Sequence, residues 1–149
     1  MQDAGALAKS YFQEGYSCAE AVLKSVAQIK GINSPLIPKI ATAFGSGLSR
    51  TDGMCGALSG GYLALSMCQG RTLPSDDRSQ LYENVATLQK LFEKRFCSTH
   101  CSTLLGFSLS EKDGGEKFKT NHCKEEKCFH FVECVSNEVI KMLDCLPKK

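Results

Sequence analysis

Cys55 lies in the run Gly53-Met54-Cys55-Gly56-Ala57-Leu58-Ser59-Gly60, where a glycine-rich loop turns into an apolar helix. The first N–H groups of a helix have no internal partners and carry the positive end of its dipole, so a thiol placed there is expected to ionise more readily. Gly53, Gly56 and Gly60 have no side chains and let a second sulfur, a metal or a neighbouring backbone approach Cys55. Cys18 stands in a matching position. Ser17-Cys18-Ala19-Glu20 has capping-box form, with Ser17 as the cap, Glu20 three residues on and Cys18 as the first helical residue. Two thiols of lowered pKa suit metal ligation or thiol exchange. Packing is the competing reading, since free cysteine is also a small, commonly buried hydrophobe.

Nine cysteines occur in all: Cys18, Cys55, Cys68, Cys97, Cys101, Cys123, Cys128, Cys134 and Cys145. An odd number cannot all pair within one chain, and without an export signal many cysteines point to metal or redox work before a disulfide framework. Cys97 and Cys101 are four apart, a spacing that would put both on one helix face, with His100 and His122 as neighbouring imidazoles, although a packing or surface role for Cys97 competes with ligation. No CxxC pair suits a closed zinc site, and no CxxCH suits covalent haem. In the C-terminal set only Cys128 combines a helix start with the core stripe, and Cys134 falls off that face. Cys68 and Cys145 lie toward helix C-termini, where the dipole disfavours a thiolate, and read as structural. The glycine loop before Cys55 lacks the Gly-Lys-Ser/Thr end of a P-loop and follows no strand. The three histidines have no serine or carboxylate partner motif for hydrolysis.

The elements that must position these thiols read as helices. Residues 3–14 are rich in helix formers, and the Ser17-capped helix carries Val22, Val26 and Ile29 up to Gly31. Pro35 and Pro38 open a short helix from Ile37 to Phe44 that stops at Gly45-Ser46-Gly47. Asp52 or Thr51 is the expected cap of the next helix, roughly Met54 to Cys68, whose apolar residues surround it and mark it as the buried central element. Pro74 and Ser75 start the longest helix, with Asp76 and Asp77 in its first turn and a stripe at Leu81, Val85, Leu88, Phe92 and Phe96. Gly106 and Asp113-Gly114-Gly115 mark a loop, and the last helix spans Lys124 to Leu143. An all-α, single-domain bundle of five to six helices over residues 1–149 follows. Cys101 to Leu109 is the only plausible strand, and one strand makes no sheet.

With 42% hydrophobic and 23% charged residues and a net charge of +2, the composition is that of an ordinary globular protein. The basic excess is too small and scattered for a nucleic-acid footprint, no apolar run reaches the length of a membrane span, and no signal peptide is visible. The expected address is the cytoplasm, and a homodimer is compatible with a chain of this size although no heptad seam is decisive.

Cys18 within Gly15-Tyr16-Ser17-Cys18-Ala19-Glu20-Ala21-Val22, the Cys55-Gly56-Ala57-Leu58-Ser59-Gly60 run, Cys101 before Ser102-Thr103-Leu104-Leu105-Gly106, and Cys128 before Phe131-Val132 occur in that order. This arrangement resembles the redox-active family named for its C_GCAxxG_C_C cysteine pattern, over about Gly15 to Leu143. The resemblance implies a small, mostly helical protein in which Cys18, Cys55, Cys101 and Cys128 meet at a common redox or metal centre. It favours electron transfer with a redox partner protein, because similar modules occur fused in certain c-type cytochromes. Cys68, Cys97, Cys123, Cys134 and Cys145 go beyond the pattern, with Cys97 and Cys123 as the nearest substitutes. The expected function is an oxidoreductase or electron-transfer protein in which the four cysteines hold an iron–sulfur cluster, or in which Cys55 attacks and Cys18 resolves in cofactor-free thiol–disulfide exchange. The alternative is a non-catalytic module, binding structural zinc or a protein partner.

Overall fold

The computed structural model describes residues 3–145. Among the described residues there are eight helices and no strands: α1 (Ala4–Gln13), α2 (Cys18–Ile29), α3 (Gly45–Arg50), α4 (Gly56–Gln69), α5 (Ser79–Phe96), α6 (Cys101–Leu105), α7 (Gly114–Thr120) and α8 (Phe129–Asp144). A 3₁₀ segment, Lys39–Phe44, leads into α3, and a π-turn, Lys124–Cys128, leads into α8. The all-α expectation holds, with more helices than the five or six expected. The additional ones are short: α3, α6 and α7 run 5 to 7 residues, below the length at which hydrophobic periodicity is legible. Cys101–Leu109 is no strand, since Cys101–Leu105 is α6.

The central layer is α2, α4 and α8. On α4, Ala57, Leu58, Ala64 and Leu65 are fully buried. Its glycines serve contact: a Cβ on Gly60 would sit 2.7 Å from the Ala19 carbonyl oxygen, so α2 and α4 meet backbone to backbone. On Gly61 it would sit 2.5 Å from a Val135 methyl of α8. Val22, Leu23 and Val26 of α2 and Val132, Val135 and Val139 of α8 complete this core. α1 crosses α8, where the Asn137 amide oxygen accepts the otherwise orphaned N–H of Gly5 at 2.8 Å. α5 seals the far side with Leu88 and Phe92, and the Phe92 ring packs on Phe96 and Phe131 with centroids 4.8 and 5.6 Å away.

Several boundaries depart from the sequence reading. α5 begins at Ser79 because Asp76 and Asp77 are used in the preceding turn: Asp76 accepts from the N–H groups of Thr72 and Leu73, and Asp77 from Ser79. The segment after Phe44 is not an open loop. Ser46, Gly47, Leu48 and Ser49 carry φ between 56° and 67°, and the Thr51 N–H bonds to the Gly47 carbonyl at 3.3 Å, so α3 is one turn of left-handed helix. Left-handed backbone costs roughly 1–2 kcal/mol per non-glycine residue. The turn is held by Ser49, whose hydroxyl donates to the Ala43 carbonyl, and by Gly53, whose N–H donates to Gly47 at 2.9 Å.

Candidate functional site

The capping box at Ser17 forms as its residues require: the Ser17 hydroxyl accepts from the Glu20 N–H at 3.2 Å and the Glu20 carboxylate accepts from the Ser17 N–H at 2.9 Å. Cys18 is the first residue of α2. Cys55 is itself the N-cap of α4, one position earlier than a first-turn residue. Neither Asp52 nor Thr51 caps that helix. Asp52 accepts from the hydroxyls of Ser108 and Ser110, and the Thr51 hydroxyl donates to the Leu48 carbonyl. Cys101 opens α6, and Cys128 closes the π-turn at the head of α8.

Two extended segments tie Cys55 to Cys101. The Cys55 N–H donates to the Thr99 carbonyl at 2.7 Å and the Cys101 N–H to the Gly53 carbonyl at 3.0 Å, around an antiparallel bridge between Met54 and His100. Glycines bring in the other walls. A Cβ on Gly56 would land on the Cys18 sulfur, and one on Gly47 would stand 2.5 Å from the Cys101 Cβ. Gly56 is therefore the position at which α2 delivers its sulfur to the start of α4, as the glycine pattern suggested.

Cys18, Cys55, Cys101 and Cys128 all line one cavity of about 550 Å³. Phe12, Leu104 and Phe131 supply apolar wall; Arg50, Glu116, Lys119 and Lys124 supply charge. Arg50 arrives on the left-handed turn, and Lys119 on α7, two elements that periodicity did not reveal. The other five cysteines do not line the cavity. Cys68, Cys97 and Cys145 are exposed, so Cys68 and Cys145 are not packing residues. Cys134 lies outside the core cluster, as its place off the core stripe predicted, but it is buried on α8, where the Arg95 guanidinium donates to its sulfur at 3.5 Å. Cys123 is buried beside the site. His100 and His122 are exposed.

The four thiols are not activated as their helix positions suggested. Burial pushes Cys18 above the ordinary thiol range, although the N–H groups of Ser46, Ala19, Cys18 and Gly56 pull the other way. Burial likewise raises Cys55, with a further push from the charge of Cys18, against the N–H groups of Leu58 and Ala57. Cys101 is pushed up to about 12 by burial, then by Cys18, Asp52 and Cys123. Cys128 is raised by burial and by Cys18, Cys55, Cys101 and Cys123. The helix-start donors are present and outweighed, because removing a thiolate from water costs more than partial backbone charges return. The expectation of lowered pKa values at Cys18 and Cys55 is thus corrected. At Cys55, Cys101 and Cys128 the charge of neighbouring thiols adds to burial, whereas at Cys18 burial acts alone, and a cation among the four sulfurs would reverse that balance.

Four soft donors suit iron–sulfur chemistry or zinc. Among the described residues, no three His, Cys, Asp or Glu side chains are grouped as they would be around a single metal ion. Around one tetrahedral zinc, sulfurs at about 2.3 Å from the metal stand only about 3.8 Å from each other.

All-α and with four cysteines from separate elements on one cavity, the chain is a cysteine-centred helical module. The family described as "Putative redox-active protein (C_GCAxxG_C_C)" matches residues 16–142, and the chain belongs to it. No curated protein and no solved structure matches the chain. No helix among the described residues is long and apolar enough to cross a membrane.

Proposed function

We propose that the protein is a cytoplasmic electron carrier in which Cys18, Cys55, Cys101 and Cys128 hold an iron–sulfur cluster and pass electrons to a partner protein. The observation that carries this reading is the meeting of these four cysteines, and no others, on one cavity. Its volume, about 550 Å³, suits a multi-atom group. When bound, such a cluster supplies a one-electron couple whose potential responds to hydrogen bonds on its sulfurs and to burial. The chain's own contribution is the backbone. N–H groups of Ser46, Ala19, Cys18 and Gly56 surround the Cys18 sulfur, and those of Leu58 and Ala57 face Cys55. Each stabilises negative charge on sulfur and favours the ligating thiolate. The walls of Phe12, Leu104 and Phe131 exclude water from one side.

Anaerobic purification followed by iron and sulfide analysis and a visible spectrum tests this. Iron and sulfide in matching amounts, lost in Cys18→Ser, Cys55→Ser, Cys101→Ser and Cys128→Ser but kept in Cys97→Ser, are expected. A colourless, iron-free protein after anaerobic reconstitution would overturn it. One equivalent of zinc with folding lost on chelation would establish the structural module instead.

A further inference from the structure

Cys123 lies outside the four-cysteine pattern and is only 1% exposed. It immediately precedes the π-turn Lys124–Cys128, in which the Phe129 N–H bonds back to the Lys124 carbonyl. That turn changes which residues face each other. In a regular α-helix, residues five apart are separated by about 7.5 Å of rise and about 140° of rotation, so their Cα atoms stand roughly 8.6 Å apart. A disulfide cannot span more than about 7 Å between Cα atoms. A π-turn closes its ring across five residues instead of four, which brings positions five apart onto the same side and nearer along the axis. Cys123 and Cys128 are such a pair. The charge of Cys123 also reaches both Cys128 and Cys101. Cys128 borders the cavity, whereas Cys123 does not. The cavity lining brings three cations, Arg50, Lys119 and Lys124, against one carboxylate, Glu116, and none of these four takes part in an ion pair among the described residues.

We propose that Cys123 and Cys128 form a dithiol–disulfide couple that is oxidised through the cavity by anionic small-molecule disulfides, and that its oxidation withdraws Cys128 from the four-cysteine site. Cys128 loses its proton to solvent and attacks one sulfur of the entering disulfide. The S–S bond breaks, one thiol departs with a proton, and a mixed disulfide remains on Cys128. Cys123 then loses its proton and attacks the Cys128 sulfur, releasing the second thiol. Two protein thiols are oxidised and one disulfide is reduced to two thiols, with two electrons and two protons transferred. Burial keeps both thiols protonated, so the exchange is slow and is read at its end point. The cations of the cavity lining attract carboxylates on the incoming molecule.

The couple itself does not depend on the cluster; only the withdrawal of Cys128 rests on the proposed function. The test incubates the metal-free, reduced full chain with oxidised glutathione, alkylates free thiols and maps tryptic peptides. Trypsin cuts after Lys124 and Lys127, so the bridge joins two separate peptides. A Cys123–Cys128 bridge without retained glutathione is expected. In Cys123→Ser, glutathione should remain on Cys128 in at least tenfold greater amount, with Cys123→Ala as a second variant should the serine disturb folding. Cystamine, a cationic disulfide, should oxidise the pair several-fold more slowly, and equal rates would overturn the anionic preference. A bridge from Cys123 to Cys101, or from Cys18 to Cys55, with Cys128 left reduced, would overturn the couple. Oxidised and reduced protein are then compared for anaerobic iron uptake. A bridged protein that still takes up iron fully would leave the couple standing and remove Cys128 from the ligand set, whereas iron absent from both forms would count against the cluster alone.

Discussion

Gly56→Ala adds one methyl group at the point where α2 meets the start of α4. Its Cβ would fall on the Cys18 sulfur, 3.0 Å from the Phe44 carbonyl oxygen and 3.2 Å from the Gly45 Cα. Two of these three neighbours are backbone atoms of the segment entering the left-handed turn, so neither can rotate away. Overpacking of this kind costs about 1–3 kcal/mol. Alanine in a helix returns about 0.5–1 kcal/mol relative to glycine. At mid-range the clash, about 2 kcal/mol, outweighs a return of about 0.75 kcal/mol, leaving a net loss of about 1 kcal/mol, or roughly 2–4 °C in Tm for a chain of this size. Gly115→Ala on α7 is the control, because nothing lies within 4 Å of its Cβ position and its φ is unstrained. There the helix gain stands alone, and a rise of about 0.5–1 kcal/mol is expected. Urea denaturation of both variants in the metal-free, reduced state measures the difference, and iron uptake reports whether the Cys18 sulfur has moved. If Gly56→Ala proves as stable as Gly115→Ala and takes up iron normally, the close approach of Cys18 to Gly56 is wrong.

Ser17→Ala removes the side-chain half of the capping box and should lower stability by about 0.5–2 kcal/mol, measured by thermal melting. Phe92→Ala empties a fully buried site against Phe96 and Phe131 and should cost about 3–5 kcal/mol by denaturant unfolding, with iron uptake falling as the Phe131 wall loosens. Cys18 and Cys55 are raised on folding, so the metal-free fold keeps protons that the unfolded chain loses above the ordinary thiol pKa. Their contribution is complete below about pH 8.5, and each removes about 1.4 kcal/mol per pH unit as the pH rises beyond it toward the folded-state values. Urea midpoints at pH 8, 9 and 10 should therefore fall, and the fall should be shallower in Cys55→Ser; a flat profile would refute the burial argument.

Long-range architecture was legible wherever one helix face carried a regular stripe. The Ser17 box and the helix it starts occur where capping chemistry placed them, and the central helix after Cys55 and the Leu88/Phe92 stripe where periodicity did, since those signals act within a few residues. The short elements were not legible. α3 is left-handed although only one of its five positive-φ residues is glycine, and that conformation is maintained by contacts to Ala43 and Gly53.

The order of four cysteines and the family to which it belongs were properties of the sequence alone. So was the placement of Cys18, Cys55 and Cys128 near helix starts, whereas Cys101, which opens α6, was read as the start of a strand. Whether those thiols are activated was not, and the answer came out with the opposite sign. A helix N-terminus acts on its own sulfur locally, whereas desolvation and the charge of neighbouring thiols depend on what the rest of the chain packs around it. Only the tertiary structure brings Cys18, Cys55, Cys101 and Cys128 to one cavity, excludes Cys68, Cys97 and Cys145 to the surface, and buries Cys123 outside the cavity lining. These positions are separated by up to 110 residues of sequence, from Cys18 to Cys128, and are joined through contacts that no local pattern encodes.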